Sequence, residues 1–258
     1  MEILDTILEN SYQPLYAVTL SIALIRYPKY YNTPLKYFPI LLMYTFLNEL
    51  LGYFTKNYEV FHISIFSAFV THNVFIYNIY NIVFFSYFFY VYWKYIETKK
   101  YRTYIILATA FYLMASLANP FFQNFKLESQ VFSYLAGAFA ILICIILFFI
   151  EHRQSSKKLD FRFTGIKWIS IGLLIFYLGY APIKASRFYN YTYQLNEYVH
   201  LRRIHLSLIV LMYISFIIGF LRMKRKFWIW PKLQGKTVFI CRITPNPKFP
   251  DYLIQHKV

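Results

Sequence analysis

The chain has 258 residues, of which 59% are hydrophobic, 23% aromatic and only 15% charged. Soluble domains average about 25% charged residues. A water-soluble fold of this size could not hide so much apolar surface, and disorder requires low hydrophobicity, so both classes are excluded. The formal net charge is +16, but the basic residues cluster between long apolar runs, which indicates a membrane protein and not a nucleic-acid-binding one.

A helix needs about 20 mostly apolar residues to cross the hydrocarbon core of a bilayer. Seven segments approach this length, and we predict a membrane-spanning helix in each. They are 12–27, 37–54, 74–96, 104–119, 131–150, 163–183 and 204–221. The predicted fold class is all-α, a polytopic transmembrane bundle over residues 1–221 with a short basic tail over 222–258. An apolar stretch at 60–70 predicts an interfacial or re-entrant piece.

The basic residues predict the orientation of the bundle. The connections on one side of the predicted bundle, together with the tail, carry 21 of the 27 Lys and Arg residues, and the other side carries 6. Because cytoplasmic connections are enriched in Lys and Arg, the N-terminus is predicted to lie outside and the C-terminus in the cytoplasm. At the start of the tail, four cations are predicted to contact the anionic lipids of the inner leaflet: Arg222, Lys224, Arg225 and Lys226.

Many Tyr and Trp residues lie near the predicted span ends, where their amphipathic rings favour the lipid headgroup layer. We therefore predict that they form an aromatic belt. The set comprises Tyr27, Tyr30, Tyr31, Tyr37, Tyr92, Trp93, Tyr95, Trp168, Trp228 and Trp230.

Polar residues inside the spans are the candidate functional residues, because ionisable groups in a bilayer are costly and usually functional or paired. Glu49 is the one acidic residue within a predicted span. The predicted topology brings seven polar residues to a similar depth on the outer side. They are Asn48, Glu49, His72, Asn78, Asn81, Arg203 and His205.

Two interpretations of this set are open. In the first, the residues line an outward-facing polar pocket that binds a small ligand or ion, and Glu49 pairs with Arg203 or His205. In the second, Asn and Glu side chains link helices by hydrogen bonds of about 0.6–2 kcal/mol each, and the arginines snorkel to the interface. Lys167 is also predicted to snorkel, at the cytoplasmic side.

Motifs of enzymes and metal sites are not found. The sequence has no HExxH, GxSxG, P-loop or GxGxxG pattern. A retinal protein of the microbial type would need a lysine in the last span, and 204–221 contains none. The sequence therefore predicts no catalytic residue, no metal site and no cofactor, and it does not indicate an enzyme.

The run Val74-Phe75-Ile76-Tyr77-Asn78-Ile79-Tyr80-Asn81 and the aromatic residues after it resemble the third helix of a group of bacterial seven-helix membrane proteins without an assigned activity. In that group an earlier helix ends near Glu-Leu-Leu-Gly, here Glu49-Leu50-Leu51-Gly52. A later helix is similar to 169–177. The resemblance covers about residues 10–222, and it implies the fold and a bacterial inner membrane location, but no activity.

We expect a receptor-like or accessory sensor that binds a small ligand or lipid in the outer pocket and signals to a separate cytoplasmic partner. A small-solute transporter is the alternative, favoured by the glycines and the proline that interrupt the sixth span. The third interpretation is a structural membrane subunit or a membrane enzyme of unknown chemistry.

Overall fold

The computed structural model of the chain describes residues 2–56, 73–154, 162–194 and 199–223. Within these ranges the backbone forms seven α-helices and no strand, which confirms the all-α class there. The apolar stretch at 60–70 and the tail after 223 lie outside the described residues. The helices are α1 (Glu2–Arg26), α2 (Phe38–Lys56), α3 (Asn73–Tyr95), α4 (Lys99–Ala118), α5 (Val131–Gln154), α6 (Arg162–Thr192) and α7 (Val199–Arg222).

Five of the helices, α3 to α7, are long and apolar enough to cross a membrane. Polar residues inside α1 and α2, such as Glu9 and Glu49, lower the hydropathy of these two helices. The seven-span topology and the outside N-terminus stay predictions. The largest differences from the predicted spans are in α1 and α6. Helix α1 begins at Glu2 although the span was expected to begin at 12, and α6 continues to Thr192 although the span was expected to end at 183.

The outward faces of the helices are apolar, as lipid contact requires. Only 17% of the most apolar stretch of α4 is buried, and large apolar side chains lie on its exposed surface. Ile106, Leu107 and Leu117 are 56%, 60% and 74% exposed. Apolar patches of this extent mark membrane or protein contact and are rare on water-soluble monomers. The described bundle therefore has the surface of an integral membrane protein.

Aromatic rings from α2, α3 and α7 fill the centre of the bundle. Phe38, at the start of α2, packs edge-on against Phe88 of α3 at 5.6 Å and Phe216 of α7 at 5.3 Å. It also stacks on Phe220 at 5.5 Å. Edge-on and offset pairs of this kind stabilise a core by about 0.5–1.5 kcal/mol beyond the area they bury.

Part of the predicted aromatic belt is wrong, because some of its tyrosines lie in this core. Tyr30 is buried and its hydroxyl donates to the carbonyl oxygen of Ala23 at 2.7 Å. Tyr92 is also buried, and its hydroxyl lies 2.8 Å from that of Ser170. A Tyr whose hydroxyl finds a protein partner can enter a core without leaving an unsatisfied group. The belt tyrosines that are exposed are Tyr27, Tyr31 and Tyr37.

Small residues allow α6 and α7 to approach closely. A Cβ atom at Gly172 would lie 2.9 Å from the carbonyl oxygen of Met212 and 2.9 Å from the Cβ of Ser215. At Gly219 it would lie 3.1 Å from the carbonyl oxygen of Gly165. Glycine at these positions lets the two backbones pack by van der Waals contact, which is the main attraction between helices in lipid.

One end of the bundle, where α1, α3, α5 and α7 finish, is held together by side chains that bond to the backbone of neighbouring helices. The Arg26 guanidinium donates to the carbonyl oxygens of Phe220 and Leu221 at the end of α7. The Glu151 carboxylate of α5 accepts from the backbone N–H of Glu97 at 2.7 Å, just after α3. We call this end the basic end, because most of the Lys and Arg residues of the sequence lie in its connections and the tail.

Candidate ligand-binding site

Glu49 lies on α2 among tyrosine side chains. Its carboxyl group is close enough to four phenols to interact with them electrostatically, and these come from three other helices. They are Tyr16 of α1, Tyr77 and Tyr80 of α3, and Tyr213 of α7. Glu49 itself is half-buried, so its side chain lies on the inward side of α2. We call these five residues the Glu49 cluster.

A threonine one turn before Glu49 fixes one of the phenols and lies near another. The Thr45 hydroxyl donates its proton to the backbone of its own helix at 2.9 Å, so its oxygen is left to accept. The Tyr80 hydroxyl lies 2.8 Å from that oxygen, and the Tyr213 phenol is an electrostatic neighbour of Thr45. The rings of Tyr16 and Tyr213 meet edge-on at 4.5 Å. The tyrosines are thus held in place by α2 and by each other.

Asn48, next to Glu49, is buried and lacks a partner for its side-chain N–H. Its backbone carbonyl oxygen accepts a hydrogen bond from the Tyr77 hydroxyl at 3.4 Å. Its side-chain Nδ2 has no hydrogen-bond partner in the described part of the chain. The Nε2 of Gln13 on α1 is also buried without a hydrogen-bond partner in the described part of the chain. Buried polar groups are normally satisfied, so these two donors mark places where an acceptor from a ligand or a water molecule would be stabilised.

Asn78 has a structural role and is fully satisfied. Its Nδ2 donates to the carbonyl oxygens of Phe125 and Glu128, both at 2.9 Å, and its Oδ1 accepts from the backbone N–H of Gln130 at 3.2 Å. The side chain therefore holds the connection between α4 and α5 against α3. Its expected place in a ligand pocket has no support from these contacts.

Asn81 of α3 gives less information about a site. Asn81 is half-buried, and its backbone carbonyl oxygen accepts a hydrogen bond from the Tyr112 hydroxyl of α4 at 3.4 Å. Asn81 therefore lies on the part of α3 that contacts α4. His72 lies outside the described residues.

His205 lies in a basic setting between α6 and α7. Its ring stacks on that of Tyr180 with 4.0 Å between centroids and 17° between planes, and its Nδ1 is 3.5 Å from the Arg187 guanidinium. Lys184 is a further electrostatic neighbour, and its Nζ donates to the Ser129 hydroxyl at 2.8 Å. We call Lys184, Arg187 and His205 the His205 cluster.

The structure does not bring the Glu49 cluster and His205 into direct contact. Within the described ranges the electrostatic neighbours of His205 are cations, whereas Glu49 acts on phenols. The predicted pairing of Glu49 with His205 is therefore not formed there. Arg203, two residues before His205 on α7, is half-buried, and its pairing with Glu49 stays a prediction.

Tyrosines connect the two clusters through the bundle. Tyr80 of the Glu49 cluster is an electrostatic neighbour of Tyr177 on α6. The Tyr177 ring lies 6.1 Å from that of Tyr134 on α5. The Tyr134 ring lies 5.7 Å from Tyr180, on which His205 stacks. The predicted site residues did not include these tyrosines. Tyr80 and Tyr177 lie away from the ends of their predicted spans, which was an available signal because belt tyrosines belong at the ends. Tyr134 and Tyr180 lie three residues from a predicted span end and gave no such signal.

Comparison of the chain with protein-family models, curated proteins and solved structures found no match. The functional argument therefore depends on the side chains described above.

Proposed function

We propose that the protein is a receptor-like protein of a bacterial inner membrane that binds a small organic cation at the Glu49 cluster. The observation that carries the proposal is the position of one carboxyl group inside a helical membrane bundle, among four tyrosines from three other helices. Acidic residues within spans are rare and usually mark function. The electrostatic neighbours of this one are tyrosines, and aromatic rings are the groups that recognise organic ammonium ions through their faces.

The contacts of the cluster support an ammonium ligand in three ways. The carboxylate supplies the opposite charge, and the tyrosine faces attract a cation through their quadrupoles. The unsatisfied Nδ2 of Asn48 would donate to an oxygen of the same ligand. The geometry of the tyrosines is fixed by Thr45 and by ring packing, so binding would cost little ordering of side chains.

A receptor-like role accounts for the described helices better than small-solute transport. Transport was favoured by the expectation that glycines and a proline interrupt the sixth span, as discontinuous helices do in transporters. In the structure α6 is one continuous helix of 31 residues that runs through Pro182. On our proposal, ligand binding shifts the helices that meet at the Glu49 cluster, and a separate cytoplasmic partner detects the shift at the basic end.

The test is thermal unfolding of the purified full chain in lipid nanodiscs with choline as the probe. Binding at 100 times the dissociation constant stabilises a folded protein by about 2.7 kcal/mol, so we expect the unfolding midpoint to rise by several degrees. The uncharged tert-butyl analogue of choline should have no effect, because it lacks the cation.

The variant Glu49→Gln should abolish the choline effect. Its matched control is Glu128→Gln, which removes the same charge from an exposed position on the connection between α4 and α5 and should keep the effect. A choline shift of equal size in Glu49→Gln, or none in the unmodified chain, would contradict the proposed site.

A further inference from the structure

A cleft opens at the basic end between the last turn of α5 and the second turn of α6. Its volume is about 420 Å³, and the side chains of the described residues that line it are Phe149, His152, Arg153 and Lys167. Two of these are permanent cations and one is an imidazole, with a single aromatic ring beside them. This cleft lies away from the Glu49 cluster and has no role in the function proposed above.

The residues beside the cleft are those of a lipid–water interface. Trp168 follows Lys167 on α6, and the Arg222 guanidinium lies 4.8 Å from the centre of its ring. At the same end, Trp93 is flanked by Lys94 at 4.8 Å and by Arg102 at 5.4 Å. Tryptophan and basic residues concentrate at the level of the lipid headgroups. The cleft therefore lies at the depth where phosphate groups of a bilayer occur.

The acid nearest in sequence is turned away from the cleft. The Glu151 carboxylate accepts hydrogen bonds from the backbone N–H groups of Glu97 and Thr98, in the connection after α3. The His152 ring is stacked parallel to Phe148, with centroids 6.0 Å apart. The lining is thus left basic, with the imidazole held in a defined orientation.

We propose that this cleft binds the phosphate headgroup of an anionic phospholipid. Arg153 and Lys167 would contact the phosphate oxygens from the two helices, because charge-assisted bonds from these side chains are the strongest available to a phosphate. Phe149 would pack against the apolar part of the lipid next to the headgroup. Basic pockets between spanning helices are a recurrent form of lipid recognition on the cytoplasmic side.

The experiment counts tightly bound lipids by native mass spectrometry of the full chain, released from nanodiscs of phosphatidylcholine that contain increasing amounts of phosphatidylglycerol. We expect one phosphatidylglycerol to be retained more strongly than the others. The double variant Arg153→Gln/Lys167→Gln should weaken that binding about fivefold for each lost cation. Lys167→Gln alone changes an exposed side chain. It should also weaken phosphatidylglycerol binding, and it replaces the double variant if that variant does not fold.

The matched control is Lys99→Gln/Lys100→Gln, which removes two exposed cations from the same end of the bundle outside the cleft. Retention in the control with loss in the cleft variant supports a specific site. An equal loss in both variants would show that only the general charge of the basic end attracts lipid, and would overturn the proposal. Binding of inorganic phosphate that displaces the retained lipid at low concentration would also overturn it, because the site would then select free phosphate.

Discussion

Two asparagines of the same predicted pocket differ in whether their side chains are hydrogen-bonded. Asn78 makes three hydrogen bonds to the backbone of the connection between α4 and α5. Asn48, on α2, is buried with its Nδ2 unsatisfied in the described part of the chain. The sequence places both at a similar depth but does not show which neighbour each one faces, because that depends on the rotation of the helix in the bundle. Residue type and depth alone therefore could not distinguish an asparagine that stabilises the fold from one that could bind a ligand.

The structural role of Asn78 can be tested by the variant Asn78→Ala. Removing its side chain breaks three hydrogen bonds and leaves backbone groups of the connection unpaired, which we expect to cost about 2–4 kcal/mol of unfolding free energy. Thermal or denaturant unfolding in detergent measures the change. The matched control is Asn81→Ala, since the described structure gives the Asn81 side chain no hydrogen bond. Equal stability of the two variants would contradict the assignment.

At the scale of elements, the sequence pattern predicts the ends of helices less well than their centres. The sixth span was expected to end at 183, but α6 runs through Pro182 and continues to Thr192. A proline removes one backbone hydrogen bond, and in a membrane bundle neighbouring helices and local adjustments satisfy the freed group. Pro14 lies inside α1 in the same way. The apolar centres of α3 to α7 agree with the predicted spans, whereas the helix ends depend on local bonds that the pattern does not contain.

The close contact of α6 and α7 predicts a strong effect of side-chain volume at Gly172. In Gly172→Leu the new side chain would meet the backbone of Met212, which cannot move aside without separating the helices. We expect a loss of at least about 2 kcal/mol of stability, measured as a lower unfolding midpoint. Ala110→Leu, at an exposed position of α4, is the control. A Gly172→Leu variant as stable as the control would show that the helices are not in tight contact.

At the scale of the whole molecule, the composition predicted a membrane bundle and the described helices agree with it. The sequence could not predict how the polar residues are distributed around the bundle. It grouped His205 with Glu49 by depth, whereas the structure places His205 between α6 and α7 beside Arg187 and surrounds Glu49 with phenols. Depth follows from the order of apolar and polar residues along one helix. Contacts between helices follow from packing, which no single segment encodes.

The orientation of the bundle decides whether the Glu49 cluster can meet a ligand from outside. Its direct test is labelling of single cysteines in intact bacterial cells by a maleimide that cannot cross membranes. The chain offers a suitable background, because Cys144 is buried in α5 and Cys241 can be replaced by Ser. Glu128→Cys reports on the connection between α4 and α5, and Lys100→Cys reports on the basic end.

We predict that intact cells label Glu128→Cys and leave Lys100→Cys unlabelled until the membrane is permeabilised. The physical reason is that connections rich in Lys and Arg are expected on the cytoplasmic side of a membrane. Labelling of Lys100→Cys in intact cells, with protection of Glu128→Cys, would show that the bundle is inserted the other way and would contradict the account.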